Sequence, residues 1–155
     1  MRITVVDAAT TSELRRAELR PQWPVGSVMH GDDVPGAIHF AAWDDARTVV
    51  GACVLLPRPC PAFPDRPDAW QLRGMVAAPQ HRGSGIGRAL TEAAVDEAQR
   101  RGARLIWCDA REAVIGFYAR HGFTGTGQIY PHPETGAPHL LMYRELSDPA
   151  GTSTP

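Results

Sequence analysis

Gly83, Gly85 and Gly87 occupy every second position near the end of the run Met75-Val76-Ala77-Ala78-Pro79-Gln80-His81-Arg82-Gly83-Ser84-Gly85-Ile86-Gly87-Arg88-Ala89-Leu90. A backbone so bare of side chains lets an anion lie against several N–H groups at once. The run reads as a strand that leaves through a short glycine turn directly into a helix, whose first turn adds unpaired N–H groups and the positive end of its dipole. The chemistry that suits it is the binding of a diphosphate. The same residues also make a tight strand-to-helix turn with no ligand, and both readings stay open at this point.

Two familiar phosphate loops fail against this stretch. A nucleotide P-loop needs Gly-Lys followed by Ser or Thr, and the chain has no lysine, all sixteen of its basic residues being arginine. The dinucleotide fingerprint needs Gly or Ala three positions after its second glycine. Counted from Gly83 that position is Arg88, and counted from Gly85 it is Leu90. Asp109, at the end of a plausible next strand, is the one feature that fits a nucleotide-dependent oxidoreductase.

The elements that must hold the turn follow from pattern. Residues 2–6 are strand-like, and Thr10 with Glu13 reads as a capping box opening a helix to about Arg20. An irregular loop over 21–35 carries Trp23, Met29, His30, Asp32 and Asp33. Gly36 to Trp43 and Arg47 to Leu56 form a hairpin about Asp44-Asp45-Ala46. Residues 57–67 hold five prolines in eleven positions and make an extended connection. Ala69 to Ala77 is the strand entering the glycine turn, and Gly85 to Arg101 is an amphipathic helix ended by Gly102. A short strand over Arg104 to Cys108, a helix over Ala110 to His121, and strands over Gly122 to Tyr130 and His139 to Leu146 complete a β-α-β-β-β-α-β-α-β-β order. That order is a mixed α/β fold, a sheet with helices on its faces.

At 155 residues and 43% hydrophobic content the chain suits a single domain, here 1–146, with a flexible tail over 147–155. A formal net charge of -1 with no basic run argues against a nucleic-acid surface. No segment approaches a membrane span, and MRITVV does not resemble a signal peptide. Cys53, Cys60 and Cys108 are odd in number and unclustered, which argues against a disulfide frame or a metal site. The expectation is a soluble cytoplasmic protein.

Two separated motifs give the chain a family resemblance. Arg82-x-x-Gly85-x-Gly87, preceded by the strand Met75-Val76-Ala77, resembles the acyl-CoA pyrophosphate loop of the GCN5-related N-acetyltransferases, the GNAT superfamily. Phe117-Tyr118-Ala119-Arg120-His121-Gly122-Phe123 is similar to that family's FYxxxGF signature. Leu72-Arg73-Gly74-Met75 and Gly136-Ala137-Pro138-His139 with Met142 resemble an uncharacterised bacterial branch. The resemblance implies a central mixed sheet of about seven strands, splayed at the acyl-CoA site, with helices on both faces. It implies acetyl-CoA as co-substrate, no metal, and pantetheine pairing with the main chain of Met75, Val76 and Ala77. The amides of Arg82, Gly83, Ser84, Gly85, Ile86, Gly87 and Arg88 would hold the diphosphate, and the arginine side chains could help neutralise it. Tyr118 would protonate the departing CoA thiolate. The reaction implied is direct attack by a primary amine of a small molecule or peptide through a tetrahedral intermediate.

The departures from the pattern bear on the acceptor. Many relatives have Asn seven residues before the tyrosine, at the start of a helix; this chain has Arg111, which could contact CoA or the acceptor. The strand before the glycine loop offers Gln71 and Arg73 where relatives often carry a carboxylate base, so the base is unassigned. His39, His139 and His30 have the right chemistry for it, and Arg73 could bind an acidic group on the acceptor. Without a carboxylate base, a non-catalytic acyl-CoA sensor is the alternative. Terminal strands of such a sheet can pair across a homodimer.

Overall fold

The computed structural model describes residues 1–29 and 31–147; His30 and most of the expected flexible tail, 148–155, lie outside the described residues. In chain order the elements are β1 (Arg2–Val6), α1 (Ala8–Leu19), β2 (Ile38–Trp43), β3 (Val49–Leu56), β4 (Ala69–Ala77), α2 (Ile86–Arg100), β5 (Leu105–Arg111), α3 (Ile115–Arg120), β6 (Thr124–Pro131) and β7 (Pro138–Glu145). Short 3-10 turns occupy Pro79–His81 and Glu112–Val114. The seven strands form one mixed sheet in the order β1-β2-β3-β4-β5-β7-β6, as the family resemblance implies. Two compact units partition the chain: Met1–Pro57 with Leu72–Glu97, and Arg58–Gln71 with Ala98–Pro155.

In the first unit, β1, β2 and β3 form an antiparallel meander. β3 is buried along nearly its whole length, which accounts for its unbroken apolar run. Its alternate residues face opposite ways. A side chain at Gly51 would meet Ile86 and Leu90 of α2, and the Cys53 thiol points to the Leu90 carbonyl at 3.9 Å. Val54, of the other parity, lies beside Gly74, as does the aliphatic part of Arg15 from α1. The helix α1 starts earlier than the capping-box reading places it. Asp7 is the N-cap, accepting from the Thr10 amide at 3.0 Å and from its hydroxyl at 2.6 Å. Glu13 does not complete a capping box but pairs with Arg16. An Asp one turn upstream supplies an acceptor directly, leaving Thr10 as a donor inside the first turn.

In the second unit, β4 and β5 are parallel over Ala69–Leu105, Trp70–Ile106 and Gln71–Trp107; β4 runs on to Ala77 and β5 to Arg111 past the last of these pairs. β5 is antiparallel to β7 along its whole length, and β7 to β6. Residues 109–111, which the sequence reading gives to a strand end and a helix start, are extended. Seven consecutive pairs with β7, from Leu105–Glu145 to Arg111–His139, hold them so. The helix read over Ala110 to His121 is therefore only Ile115–Arg120, behind a 3-10 turn, and it packs against β5 and β6. Phe63 from the proline-rich segment covers Tyr143 edge-on at 4.9 Å, and Cys60, Ala69, Leu105 and Trp107 pack beneath it. The Trp107 indole donates to the Arg58 carbonyl at 2.9 Å, which ties that segment to β5.

Candidate active site

The first unit holds Met75, Val76 and Ala77 at the end of β4, the turn from Arg82 to Arg88, His39 and Arg73. Gly83 and Gly85 take φ of 82° and 85°, a region that favours glycine, and nothing lies within 4 Å of where a Cβ would sit. The amides of Arg82 and Ser84 donate within the turn, to Pro79 O at 3.4 Å and His81 O at 3.3 Å. The helical ladder of α2 begins with Ala89 N to Gly85 O at 3.0 Å, so the amides of Ile86, Gly87 and Arg88 have no acceptor within the helix. Together with Gly83 and Gly85 they give an anion bare main-chain donors at the positive end of a helix. Arg82 pairs with Glu18 at 2.7 Å and Arg88 with Glu92 at 3.1 Å. Both arginines are largely exposed, and such pairs are worth little enough for an anion to displace them.

Two further glycines lie in the strands behind this turn: Gly51, which the sequence reading passed over, and Gly74, which it named only within the branch resemblance. Gly51 leaves room for the first residue of α2 to lie flat on β3; the available signal was a glycine inside the apolar strand VVGACVLL. Gly51→Ala should lower stability by about 1–3 kcal/mol through overpacking against Ile86. It should also weaken coenzyme A by tilting the helix start; urea unfolding and cofactor titration of one sample would show both. Gly74 takes φ of 65° inside β4, a left-handed conformation that favours glycine.

Beside Gly74 lies a buried polar group. The Arg15 guanidinium donates to both oxygens of Asp32, at 2.7 and 3.2 Å, and to Thr11 Oγ1 and the Ala8 carbonyl. His39 Nε2 is 3.8 Å from Asp32, and neither of its ring nitrogens has a hydrogen-bond partner among the described residues. The adjoining Gly31 approaches Arg73, so the 31–32 segment brings His39 and Arg73 to one loop. Burial, then the neighbouring Arg15 charge, holds the His39 imidazole below its ordinary value, against the opposing pull of Asp32 and Asp7. The unfolded chain therefore takes up a proton near the ordinary imidazole value that the folded chain refuses. Stability is complete above that pH and declines below it, by at most about 1.4 kcal/mol per pH unit. His39→Gln should remove this slope between pH 6.5 and the folded-state value, as read from urea midpoints over a pH series.

The second unit holds Arg111, Tyr118 and His139. Tyr118 is 5% exposed and meets Phe117 and Phe123 edge-on, at 5.1 and 5.3 Å between centroids. Gly122, at φ of 84°, ends the helix as its sequence position suggests. Arg111 is exposed at the end of β5, a strand residue rather than a helix-start one, and its partner across the ladder is His139. Among the described residues no group of three or more His, Cys, Asp or Glu is placed to hold a metal, and the three cysteines are free and buried. No described helix is long and apolar enough to cross a membrane.

The model of the acetyltransferase (GNAT) family matches residues 8–123. The chain belongs to this family. It is 26% identical over 147 residues to the uncharacterised N-acetyltransferase YitI of Bacillus subtilis (strain 168), covering 94% of this chain and 97% of that one. Among solved structures it is similar to an aminoglycoside 6'-N-acetyltransferase complexed with coenzyme A (TM-score 0.75, 18% identity, 94% and 97% of the two chains). It is similar also to an acyl-CoA N-acyltransferase from Pseudomonas aeruginosa (TM-score 0.72, 23% identity, 92% and 98%). These two likenesses are likenesses of fold. As a GNAT protein the chain is an acyl-CoA-dependent N-acyltransferase. Where some GNAT proteins carry a carboxylate on the strand before the glycine turn, Gln71 is buried and accepts from Arg58 at 3.2 Å. An amide so held has no proton-accepting role.

Proposed function

We propose that this GNAT chain moves an acetyl group from acetyl-CoA to a primary amine of a small molecule or peptide by direct attack, acting as one domain over residues 1–146. The observation that carries the reading is the turn at Gly83 and Gly85, whose left-handed glycines open a row of main-chain donors at the start of α2. Those amides hold the diphosphate, and the main chain of Met75, Val76 and Ala77 pairs with pantetheine. One of these N–H groups polarises the thioester carbonyl and binds more strongly as its oxygen gains charge. Amine nitrogen adds to the carbonyl carbon, the C–S bond breaks, and the Tyr118 hydroxyl gives its proton to the leaving thiolate. Arg111, Arg73, His39 and His139 are left for the acceptor or for the outer part of coenzyme A.

The test is titration calorimetry with acetyl-CoA, followed by release of free CoA thiol across a panel of primary amines. Saturable heat together with amine-dependent thiol release is expected. Heat without thiol release would make the chain an acyl-CoA sensor, and no heat from a folded sample would overturn the reading.

A further inference from the structure

Three adjacent strands of the second unit bring an acid, a phenol and an imidazole to one face of the sheet. Asp109 on β5 pairs with Leu141 on β7, and His139 lies two residues along β7, a diagonal neighbour on the same face within side-chain reach. Tyr130 on β6 is opposite His139 and spans β7, so that its hydroxyl donates to Asp109 Oδ1 at 2.5 Å. Burial first, then the Asp109 carboxylate, pushes the Tyr130 phenol up, so it stays a donor to that carboxylate. His139 is 7% exposed, and its Nδ1 lies 2.9 Å from the Ala137 carbonyl. A carbonyl only accepts, so Nδ1 carries the hydrogen and the Nε2 lone pair is left over. The His132 ring is 4.6 Å from that of His139, and the His132 Nδ1 accepts from the Glu134 amide, which places its own hydrogen on Nε2. Among the described residues, charged and titratable groups brought to His139 by these strands include Arg111, Asp109, Tyr130 and His132. Asp109, Tyr130 and Leu141 are only partly buried, so a ligand can reach them.

We infer that Asp109, positioned by Tyr130, and the Nε2 of His139 form the subsite that receives the acceptor as a protonated primary amine, with His139 as the base that deprotonates it. The inference rests on the acyl-transfer reading above. A carboxylate oxygen and an imidazole lone pair are two acceptors, which an ammonium group meets with two of its three donors. One ammonium N–H bond then breaks, its electron pair stays on nitrogen, and the proton passes to Nε2. The imidazolium keeps its Nδ1–H bond to Ala137 and gains the Asp109 charge as counter-ion. The neutral amine attacks the thioester, a second N–H proton is lost as the intermediate collapses, and Tyr118 supplies a proton to the thiolate. Solvent takes the second N–H proton and the one held by His139 and returns one to Tyr118, so each turnover releases one proton.

The experiment titrates n-butylammonium chloride, with 1-butanol as the uncharged control, into the full chain with and without CoA, reading the His139 ring nitrogens by NMR. Butylammonium should shift them saturably and butanol should not. Asp109→Asn, which keeps an oxygen for Tyr130, should weaken the amine about tenfold or more at unchanged CoA affinity, and Tyr130→Phe should give a smaller loss. An equal response from Asp109→Asn, or none in the wild type, overturns the subsite. Failure to bind CoA overturns the acyl-transfer reading instead, and the titration without CoA still decides the subsite. For the proton step, His139→Gln should lower acetylation of butylamine about a hundredfold relative to hydroxylamine, which is unprotonated at neutral pH. An unchanged ratio, or no butylamine acetylation above the buffer rate, removes His139 as the base.

Discussion

Tyr118→Phe should leave acetyl-CoA affinity nearly unchanged and lower turnover by about a hundredfold or more, the usual worth of a positioned general acid. The substitution deletes one hydroxyl and nothing else. The ring sits 5% exposed between Phe117 and Phe123, and a phenylalanine makes the same edge contacts at the same centroid distances. Any loss of packing would appear in the urea midpoint, which is expected to stay within about 1 kcal/mol of the wild type. A thiolate leaving without a proton donor returns to the carbonyl more readily than it departs, so the deficit should fall on turnover. Stopped-flow thiol release with calorimetric binding on the same sample makes the check. Unchanged turnover would take Tyr118 out of the mechanism.

Gly85→Val should weaken acetyl-CoA on the order of a hundredfold while leaving the protein folded, because it fills the place of the anion rather than of the core. At φ of 85° a β-branched residue is strained by roughly 1–2 kcal/mol or more. Beyond its chain neighbours nothing lies within 4 Å of the new Cβ, so backbone strain is the main penalty to the fold. The control is Gly102→Val at the far end of α2, where φ is 84° and the surroundings are equally open. Both variants should lose similar stability, and Gly85→Val alone should lose the ligand. Equal affinities for the two would show that the turn is a structural corner and not an anion site.

The arrangement also separates two kinds of histidine that the sequence treats alike. His39 is a buried ring whose nitrogens have no hydrogen-bond partner among the described residues, beside an Asp32 already taken by Arg15, and its consequence is for stability against pH. His139 has its Nδ1 held by a backbone carbonyl and stands two residues along β7 from the ladder partner of Asp109. Only the second stands at the proposed acceptor subsite.

Local chemistry alone determined much of this. The strand Ala69–Ala77, the glycine turn, the helix after it, and the glycine stops at Gly102 and Gly122 are short-range events, governed by propensity and by φ, and they lie where the residues place them. The motifs that carry the family resemblance lie in such segments. What only the tertiary structure decided is set by pairing between distant strands. Ala110 and Arg111 look like a helix start by composition, yet the ladder to β7 draws them into β5. Asp109 meets Tyr130, and Arg15 meets Asp32, because β7 enters between β5 and β6 and because the 31–36 loop folds back on α1. Neither contact leaves a local trace, since hydrogen bonds across a sheet depend on register and order, which a one-dimensional pattern does not carry.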